Sequence, residues 1–439
     1  MNLFEGILKL NGFPIKKAKE ALEEIQKIPE AKYQEYIFKA REEIVQYHKN
    51  NTPSYHEFIG KEPLQWEEIP IMKKAHLQRP LEERLSNGYN KNSIYINKTS
   101  GSSGTPFIFG KDKFCHALTW AEFIRSYGRI GIDFNTSLEA RFYGIPLDYK
   151  GYSKERIKDY LSNRYRFPVF DLSEGKMEKI LHSFRRKKFD YINGYTSSIV
   201  FFAKFLKERK LVLSKECPTL THCIVTSEVL FDEDKQLLEN FLGVPIISEY
   251  GASEVGLIAI TNPEDEFEVN TAALYVEIVD ENDSVVPFGN SGRIIITALY
   301  NKAHPIIRYD IGDLGILATG STYKKAILEK LIGRTSDMAK LPSGKIVPGL
   351  TFYYITKTAI TNDGNIKEFV IEQQSLNTFK IIYASTAEIT TLEKKEIVKA
   401  AEKYLEPNLN LEFERVEVLR RSEAGKLKQF VSLVNPVSP

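Results

Sequence analysis

Apolar positions along the first ninety residues recur at helical spacing, with Tyr33, Ile37, Ala40 and Ile44 on one face. The spacing predicts a mainly helical N-terminal stretch. From about residue 90 short β-branched runs alternate with helical patterns, which argues for α/β layers. Ser93-Ile94-Tyr95-Ile96 reads as a strand. Ile192-Asn193-Gly194-Tyr195 and Cys223-Ile224-Val225-Thr226-Ser227-Glu228 read as strand ends entering loops. Open α/β sheets bind ligands at such carboxyl ends. Residues 266–300 change character, with short runs at Leu274–Val279 and Arg293–Ile296 that predict a small β-rich subdomain. Beyond Gly333-Arg334 the pattern becomes separate. Phe369-Val370-Ile371 and Phe379–Tyr383 read as paired strands, Ile397, Ala401 and Tyr404 as a helix face, and Val416 and Val418 as a further strand. The expected fold class is α/β: a large N-terminal domain of layered α/β sheets over residues 1–335, and a small α+β C-terminal domain over 336–439.

A chain of 439 residues can build two domains with substantial cores. Apolar residues make up 42% and charged residues 27%, which predicts a soluble globular protein. No apolar run reaches the length of a membrane span. Met1-Asn2-Leu3-Phe4-Glu5 does not open a signal peptide. The net charge of +2 is spread along the chain and does not argue for nucleic-acid binding. Three cysteines, Cys115, Cys217 and Cys223, suit a reducing cytoplasm. Cys217, His222 and Cys223 are close enough in sequence to raise a metal site. A four-ligand site needs a second cluster, and no cysteine follows Cys223, so buried structural cysteines are expected.

Candidate chemistry begins at Thr99-Ser100-Gly101-Ser102-Ser103-Gly104-Thr105-Pro106, directly after the first strand. A loop of Gly, Ser and Thr can surround phosphate oxygens with backbone N–H groups and hydroxyls. The same composition also makes flexible linkers. No Gly-Lys-Ser/Thr triplet follows Gly104, so this is not a Walker loop, and the glycine spacing does not match a dinucleotide fingerprint. The loop has companions downstream: Glu249-Tyr250-Gly251-Ala252-Ser253-Glu254, Ile307-Arg308-Tyr309-Asp310-Ile311-Gly312-Asp313, Ile332-Gly333-Arg334-Thr335-Ser336-Asp337, and Glu423-Ala424-Gly425-Lys426-Leu427-Lys428.

In this order the set resembles the adenylate-forming superfamily of acyl-CoA synthetases, luciferases and peptide-synthetase adenylation domains. The phenylacetate-CoA ligase branch, with its capsule-biosynthesis relatives, is the most similar. Trp66-Glu67-Glu68-Ile69-Pro70-Ile71-Met72-Lys73-Lys74 looks like that branch's N-terminal signature, as does the Arg308-Tyr309 order before Gly312-Asp313. The resemblance runs from about residue 50 to the C-terminus.

The resemblance implies ATP-dependent activation of a carboxylic acid as acyl-AMP, followed by transfer to CoA. Thr99, Ser100, Gly101, Ser102, Ser103, Gly104 and Thr105 would hold the ATP β- and γ-phosphates. The lysine usual in this loop is replaced, because Phe107 follows Pro106, which leaves more work to magnesium and the lid. Glu254 would orient Mg²⁺, a hard cation that prefers carboxylate oxygen. Tyr250 would stack on adenine or substrate, with core packing as its alternative. Ser253 belongs to the same nucleotide motif, and Gly251 would let the backbone approach the substrate. Asp313 is the candidate for the ribose hydroxyls. Arg334 would contact the nucleotide. Arg308 is open between phosphate and a structural ion pair. Lys426 would reach the α-phosphate and carboxylate from a mobile C-terminal lid, with Lys428 as its decoy. Ser336 stands at the hinge, where the family has Asp or Lys. The acid pocket would draw on Tyr143, Gly144, Tyr195, Ser227, Glu228 and Gly251, and its aromatic lining favours an aryl or arylacetyl acid. The alternatives are transfer to an amine by an amide ligase and a nucleotide-binding relative without turnover. The oligomeric state is not legible in the sequence.

Overall fold

The computed structural model describes residues 3–60, 65–99, 107–145, 149–169, 172–334, 338–348, 355, 366–385, 387–421 and 427–434. The N-terminal stretch is helical at Leu3–Leu10, Ile15–Lys27, Glu30–Asn51 and Pro53–Ile59. Tyr33, Ile37 and Ile44 are buried along the third of these helices, as their spacing predicts. Among the described residues, no helix is long and apolar enough to cross a membrane.

A short antiparallel pair, β1 (Tyr95–Lys98) and β2 (Ile108–Lys111), brackets the Gly/Ser/Thr loop. The main layer has seven strands: β3 (Glu139–Tyr143), β4 (Arg164–Pro168), β5 (Tyr191–Tyr195), β6 (His222–Thr226), β7 (Ile246–Ala252), β8 (Gly256–Thr261) and β9 (Phe267–Val269). Their spatial order is β4-β3-β5-β6-β7-β8-β9. Pairing is parallel from β4 to β7 and antiparallel from β7 to β9. Helices Glu174–Arg186, Thr196–Glu208 and Asp232–Leu242 connect successive parallel strands, as parallel pairing requires. They bury one sheet face in a core that includes Phe142, Phe184, Ile192, Phe202, Cys223 and Leu238. Helix Lys113–Arg129 covers the other face, where Tyr127 packs with Tyr191, Ile224 and Ile247. All three cysteines are free and buried.

A second sheet follows, with strand order β10 (Leu274–Val279), β11 (Ser291–Ala298), β12 (Tyr309–Leu317) and β13 (Leu328–Arg334). The Trp66–Lys74 segment reaches it through a parallel bridge between Met72 and Tyr309. There the Met72 N–H donates to the Arg308 carbonyl and the Asp310 N–H to the Met72 carbonyl, both at 2.9 Å.

The chain forms two compact units: Met1–Ile311 with Gly315–Lys330, and Gly312–Leu314 with Leu331–Pro439. The second is α+β. It contains the hairpin β14 (Met338–Lys340) and β15 (Ile346–Pro348), and a sheet of β16 (Ile366–Gln373), β17 (Thr378–Ser385), β18 (Asn410–Val416) and β19 (Phe430–Ser432) in the order β18-β17-β16-β19. Helix Thr391–Tyr404 opens with a capping box between Thr390 and Glu393. Ile397 and Ala401 pack onto Phe379, Ile381 and Tyr383 of β17. The expected strand at Val416 ends there, and Val418 lies beyond it, exposed. The expected domain boundary and the hinge candidate Ser336 fall at residues 335–337, outside the described residues.

Candidate active site

The carboxyl ends of β3, β5, β6 and β7 lie side by side, because Tyr195 registers with Thr226 and Thr226 with Glu249. This brings together Tyr143, Gly144, Tyr195, Ser227, Glu228, Tyr250 and Gly251. The Tyr143 and Tyr195 rings meet with centroids 4.6 Å apart. The Gly144 carbonyl accepts from Arg166 Nη1 at 2.9 Å. Ser227 holds φ +71°, a left-handed conformation uncommon outside glycine and frequent at functional turns. The Glu228 carboxylate accepts the Ser197 N–H at 2.6 Å and thereby caps the helix that begins at Thr196. Glu228 therefore has a structural role of its own.

Glu254 lies in the turn between β7 and β8, and its side chain is buried. Tyr309 donates its hydroxyl to Glu254 Oε1 at 3.2 Å. Burial raises the Glu254 pKa above the usual carboxylate range, while Tyr309, Lys111 and Lys74 act against the rise. Lys111 ends β2 and is 3% exposed. Its ammonium lies 3.4 Å from Thr119 Oγ1, and burial lowers its pKa. Glu254 and Lys111 are thus two buried groups that act electrostatically on each other. At the neck of the Gly/Ser/Thr loop the Thr99 N–H donates to the Phe107 carbonyl at 3.0 Å, and the Phe107 N–H to Thr99 Oγ1 at 3.1 Å. Phe107 is a core residue, its ring centroid 6.3 Å from that of Tyr309.

Ser100, Gly101, Ser102, Ser103, Gly104 and Thr105 lie outside the described residues, as does Lys426. Arg334 is placed as the last residue of β13. Asp313 is buried on β12, Tyr250 is 9% exposed and Ser253 is exposed in the turn. Gly251 has a nearer constraint than substrate: a Cβ there would lie 2.8 Å from the Gly256 carbonyl oxygen, across the bulge in the β7–β8 pair. Arg308 is resolved in favour of structure. It is 1% exposed, donates from Nη1 to the carbonyls of Ile69 and Glu67 at 2.7 and 3.1 Å, and faces Glu277. The Arg308 side chain itself is inside the protein, and these partners account for its burial.

Three features escaped the sequence reading. Lys111 sits in Gly110-Lys111-Asp112-Lys113, which looks like an exposed charged turn. The period-two run Phe107, Phe109, Lys111 was the available signal, and all three are buried. Tyr309 was read as part of a motif, without its bond to Glu254. The polar groups on the helix-covered sheet face, Arg141, Asn193 and Glu249, alternate with core residues such as Phe142 and Ile192. That alternation places them on the sheet face opposite Phe142 and Ile192.

No family model matches the chain. Among curated proteins, protein CapK of Staphylococcus aureus is 22% identical over 404 residues, which is 88% of this chain and 86% of CapK. The phenylacetate-coenzyme A ligase of Pseudomonas putida is 26% identical over 265 residues, covering 58% of each chain. Among solved structures, 2-hydroxyisobutyryl-CoA ligase in the postadenylation state superimposes with a TM-score of 0.72 at 18% identity, over 92% of this chain and 90% of that one. The fold is that of the adenylate-forming ligases. Phenylacetate-CoA ligases and CapK are its relatives in sequence. Of the expected motifs, Glu249–Glu254 lies at the end of β7 and in the β7–β8 turn, Tyr309–Asp313 lies on β12 and Arg334 on β13.

Proposed function

We propose that this protein is an AMP-forming acid–CoA ligase. A carboxylate oxygen attacks the α-phosphorus of ATP, the bond to pyrophosphate breaks, and acyl-AMP forms. The CoA thiol then attacks the acyl carbon, loses its proton, and displaces AMP to leave a thioester. The observation that carries this reading is Glu254, a buried carboxylate held by Tyr309 immediately beside the carboxyl ends of the parallel strands. The relatives in sequence and the adenylate-forming fold support it.

The residues fit Mg²⁺ of the kind that phosphates bring. Among the described residues no group of three or more His, Cys, Asp or Glu is placed to hold a metal. A single carboxylate such as Glu254, completed by phosphate oxygens and water, is the usual Mg²⁺ arrangement. Bound there, the ion would neutralise charge on the phosphates. Thr99 would anchor the phosphate loop, and Lys111 would supply the buried cation that Phe107 does not. Asp313 is assigned to ribose and Lys426 to the α-phosphate and the acid carboxylate, with Ser336 as the hinge of a mobile lid over 336–439. Tyr143 and Tyr195 would form the wall of an acid pocket suited to an aryl or arylacetyl acid. The reaction takes place in the cytoplasm, where ATP and CoA are available and the free cysteines stay reduced.

Acid-dependent pyrophosphate release, measured across a carboxylic-acid panel with and without CoA, tests the reading. An acyl-CoA in the mass spectrum is the expected product. Acyl-AMP that ignores CoA and reacts with an amine would reassign the second step to an amide ligase.

A further inference from the structure

A second concave site lies away from the strand ends. Helix Pro53–Ile59, the Trp66–Lys74 segment, the turn Lys74–Leu77 and the short helix Leu81–Arg84 contribute its walls, together with Pro305. It holds about 290 Å³, close to the roughly 300 Å³ at which small-molecule sites begin. Phe58, Met72, Leu77 and Pro305 make most of its lining apolar. No residue assigned to the acid pocket lines it.

Two polar groups on this lining are left over by the fold. The first is Arg84, 3% exposed. Its Nε donates to the Arg79 carbonyl at 2.9 Å, its Nη2 to the Ile108 carbonyl at 2.6 Å, and its Nη1 to His304 Nε2. Burial lowers the His304 pKa well below its ordinary value, so that ring is neutral. A guanidinium has five N–H donors. Three are spent here, all on neutral acceptors, and among the described residues Arg84 makes no ion pair. Glu82 and Glu83 act on its charge from a distance, but both side chains are about half exposed and bound to other cations, Lys91 and Arg79. Burial and the Arg79 charge lower the Arg84 pKa to about 10, the direction of a cation without a counter-ion. Glu57 also lines the cavity, but it is 75% exposed and pairs with Arg79. The second group is Tyr55, 1% exposed, whose hydroxyl is buried without a hydrogen-bond partner among the described residues. A buried charge is ordinarily paired, and a buried hydroxyl ordinarily bonded.

One kind of ligand answers both. A carboxylate accepts two N–H donors of a guanidinium at once, in charge-assisted bonds, and has lone pairs left for a phenol. An apolar body behind it suits the remaining walls. We propose that this cavity binds a small organic carboxylate with an apolar body, at a site separate from the acid pocket. The proposal does not depend on the ligase reading.

The test reads binding in the full-length protein without ATP or CoA. The chain has four methionines, and Met72 lies on the cavity wall. NMR of isotopically labelled methionine methyl groups, with the Met72 signal assigned through Met72→Leu, therefore reports on the cavity. The probes are hexanoate and phenylacetate, with hexanamide, phenylacetamide and inorganic phosphate beside them. At least one of the acids should shift the Met72 signal saturably, with a Kd about tenfold or more below that of its amide, the scale of one charge-assisted hydrogen bond. Tyr55→Phe should weaken binding severalfold while the melting temperature stays equal or rises, because an unpartnered hydroxyl is gone. Ser54→Trp, which fills the cavity from its lining, should abolish the shift in protein whose melting temperature shows it to be folded. A Met72 signal that neither acid moves overturns the proposal, and so does equal binding of acid and amide. Phosphate bound as tightly as the acids overturns the apolar body. A shift that survives in Ser54→Trp puts the acid elsewhere and overturns the site. Should Ser54→Trp not fold, an unchanged Kd in Tyr55→Phe overturns the proposal by itself. Each of these outcomes leaves the formation of acyl-AMP to its own test.

Discussion

Arg308→Met separates a structural arginine from a nucleotide-binding one. Glu277 Oε2 lies 3.5 Å from Arg308 Nε, and both side chains are 1% exposed. Glu277 Oε1 accepts from Trp66 Nε1 at 2.8 Å, so the pair ties β10 to the Trp66–Lys74 segment. Removing one partner of a buried pair costs about 3–5 kcal/mol. The carbonyls of Ile69 and Glu67 lose a donor as well, at about 1–3 kcal/mol for each group left unsatisfied. These losses overlap, and about 5 kcal/mol is the expected total, a large share of the ~5–15 kcal/mol that typically holds a domain together. Equilibrium unfolding in denaturant should show a much lower midpoint. Burial already raises the Glu277 pKa, and Arg308 opposes that rise. Without Arg308 the folded pKa rises further above its unfolded value. The folded state then binds the extra proton, so the variant loses stability as pH rises from the unfolded carboxylate value through the folded one. The deficit should be smaller near pH 5 than near pH 8. Adding Glu277→Gln, which keeps an acceptor for Trp66 and removes the charge, should restore part of the stability. A variant with a normal midpoint and weakened ATP binding would refute the structural assignment.

Three further outcomes follow from the site. Glu254→Gln should lower pyrophosphate release at least tenfold with little change in unfolding. In the wild type the acid limb of the rate profile should move to lower pH as Mg²⁺ is raised, because burial lifts the Glu254 pKa and a bound cation depresses it; an acid limb indifferent to Mg²⁺ would remove Glu254 from the metal role. Lys111→Met should cut adenylation severalfold yet leave stability equal or higher, because the charged lysine is disfavoured where it lies; full activity in this variant would make Lys111 a packing residue. Lys426→Ala should abolish acyl-AMP formation but still convert supplied acyl-AMP to thioester, while Lys428→Ala, an exposed position, should be mild in both; a larger loss at Lys428 would sink the assignment of Lys426.

What the sequence made legible was local. Short β-branched and aromatic runs marked β5, β10 and β17, and helical spacing marked Glu30–Asn51, where one buried face imposes a repeat on neighbouring residues. The motif order around Glu254 was legible for the same reason, since its residues share one turn. Partners far apart in the chain left no local repeat. Nothing in Ile69-Pro70-Ile71-Met72 announces that it lies beside Tyr309, or that its carbonyls receive Arg308. Gly251 carries a constraint that the sequence does not reveal, since Gly256 folds back against it. Arg141, Asn193 and Glu249 were given no role because only register through the four strands β3, β5, β6 and β7 sets them on one sheet face.

The central claim is that an acid and ATP react here to form acyl-AMP before CoA takes part. Its most direct test is a pre-steady-state experiment on the full-length protein with ATP, Mg²⁺ and an accepted acid, quenched and analysed by mass spectrometry. Without CoA, acyl-AMP and pyrophosphate should form together in amounts matching the enzyme, and adding CoA should convert that acyl-AMP to acyl-CoA with release of AMP. Release of ADP and phosphate in place of AMP and pyrophosphate, or acyl-CoA formed with no acyl-AMP before it, would contradict the account.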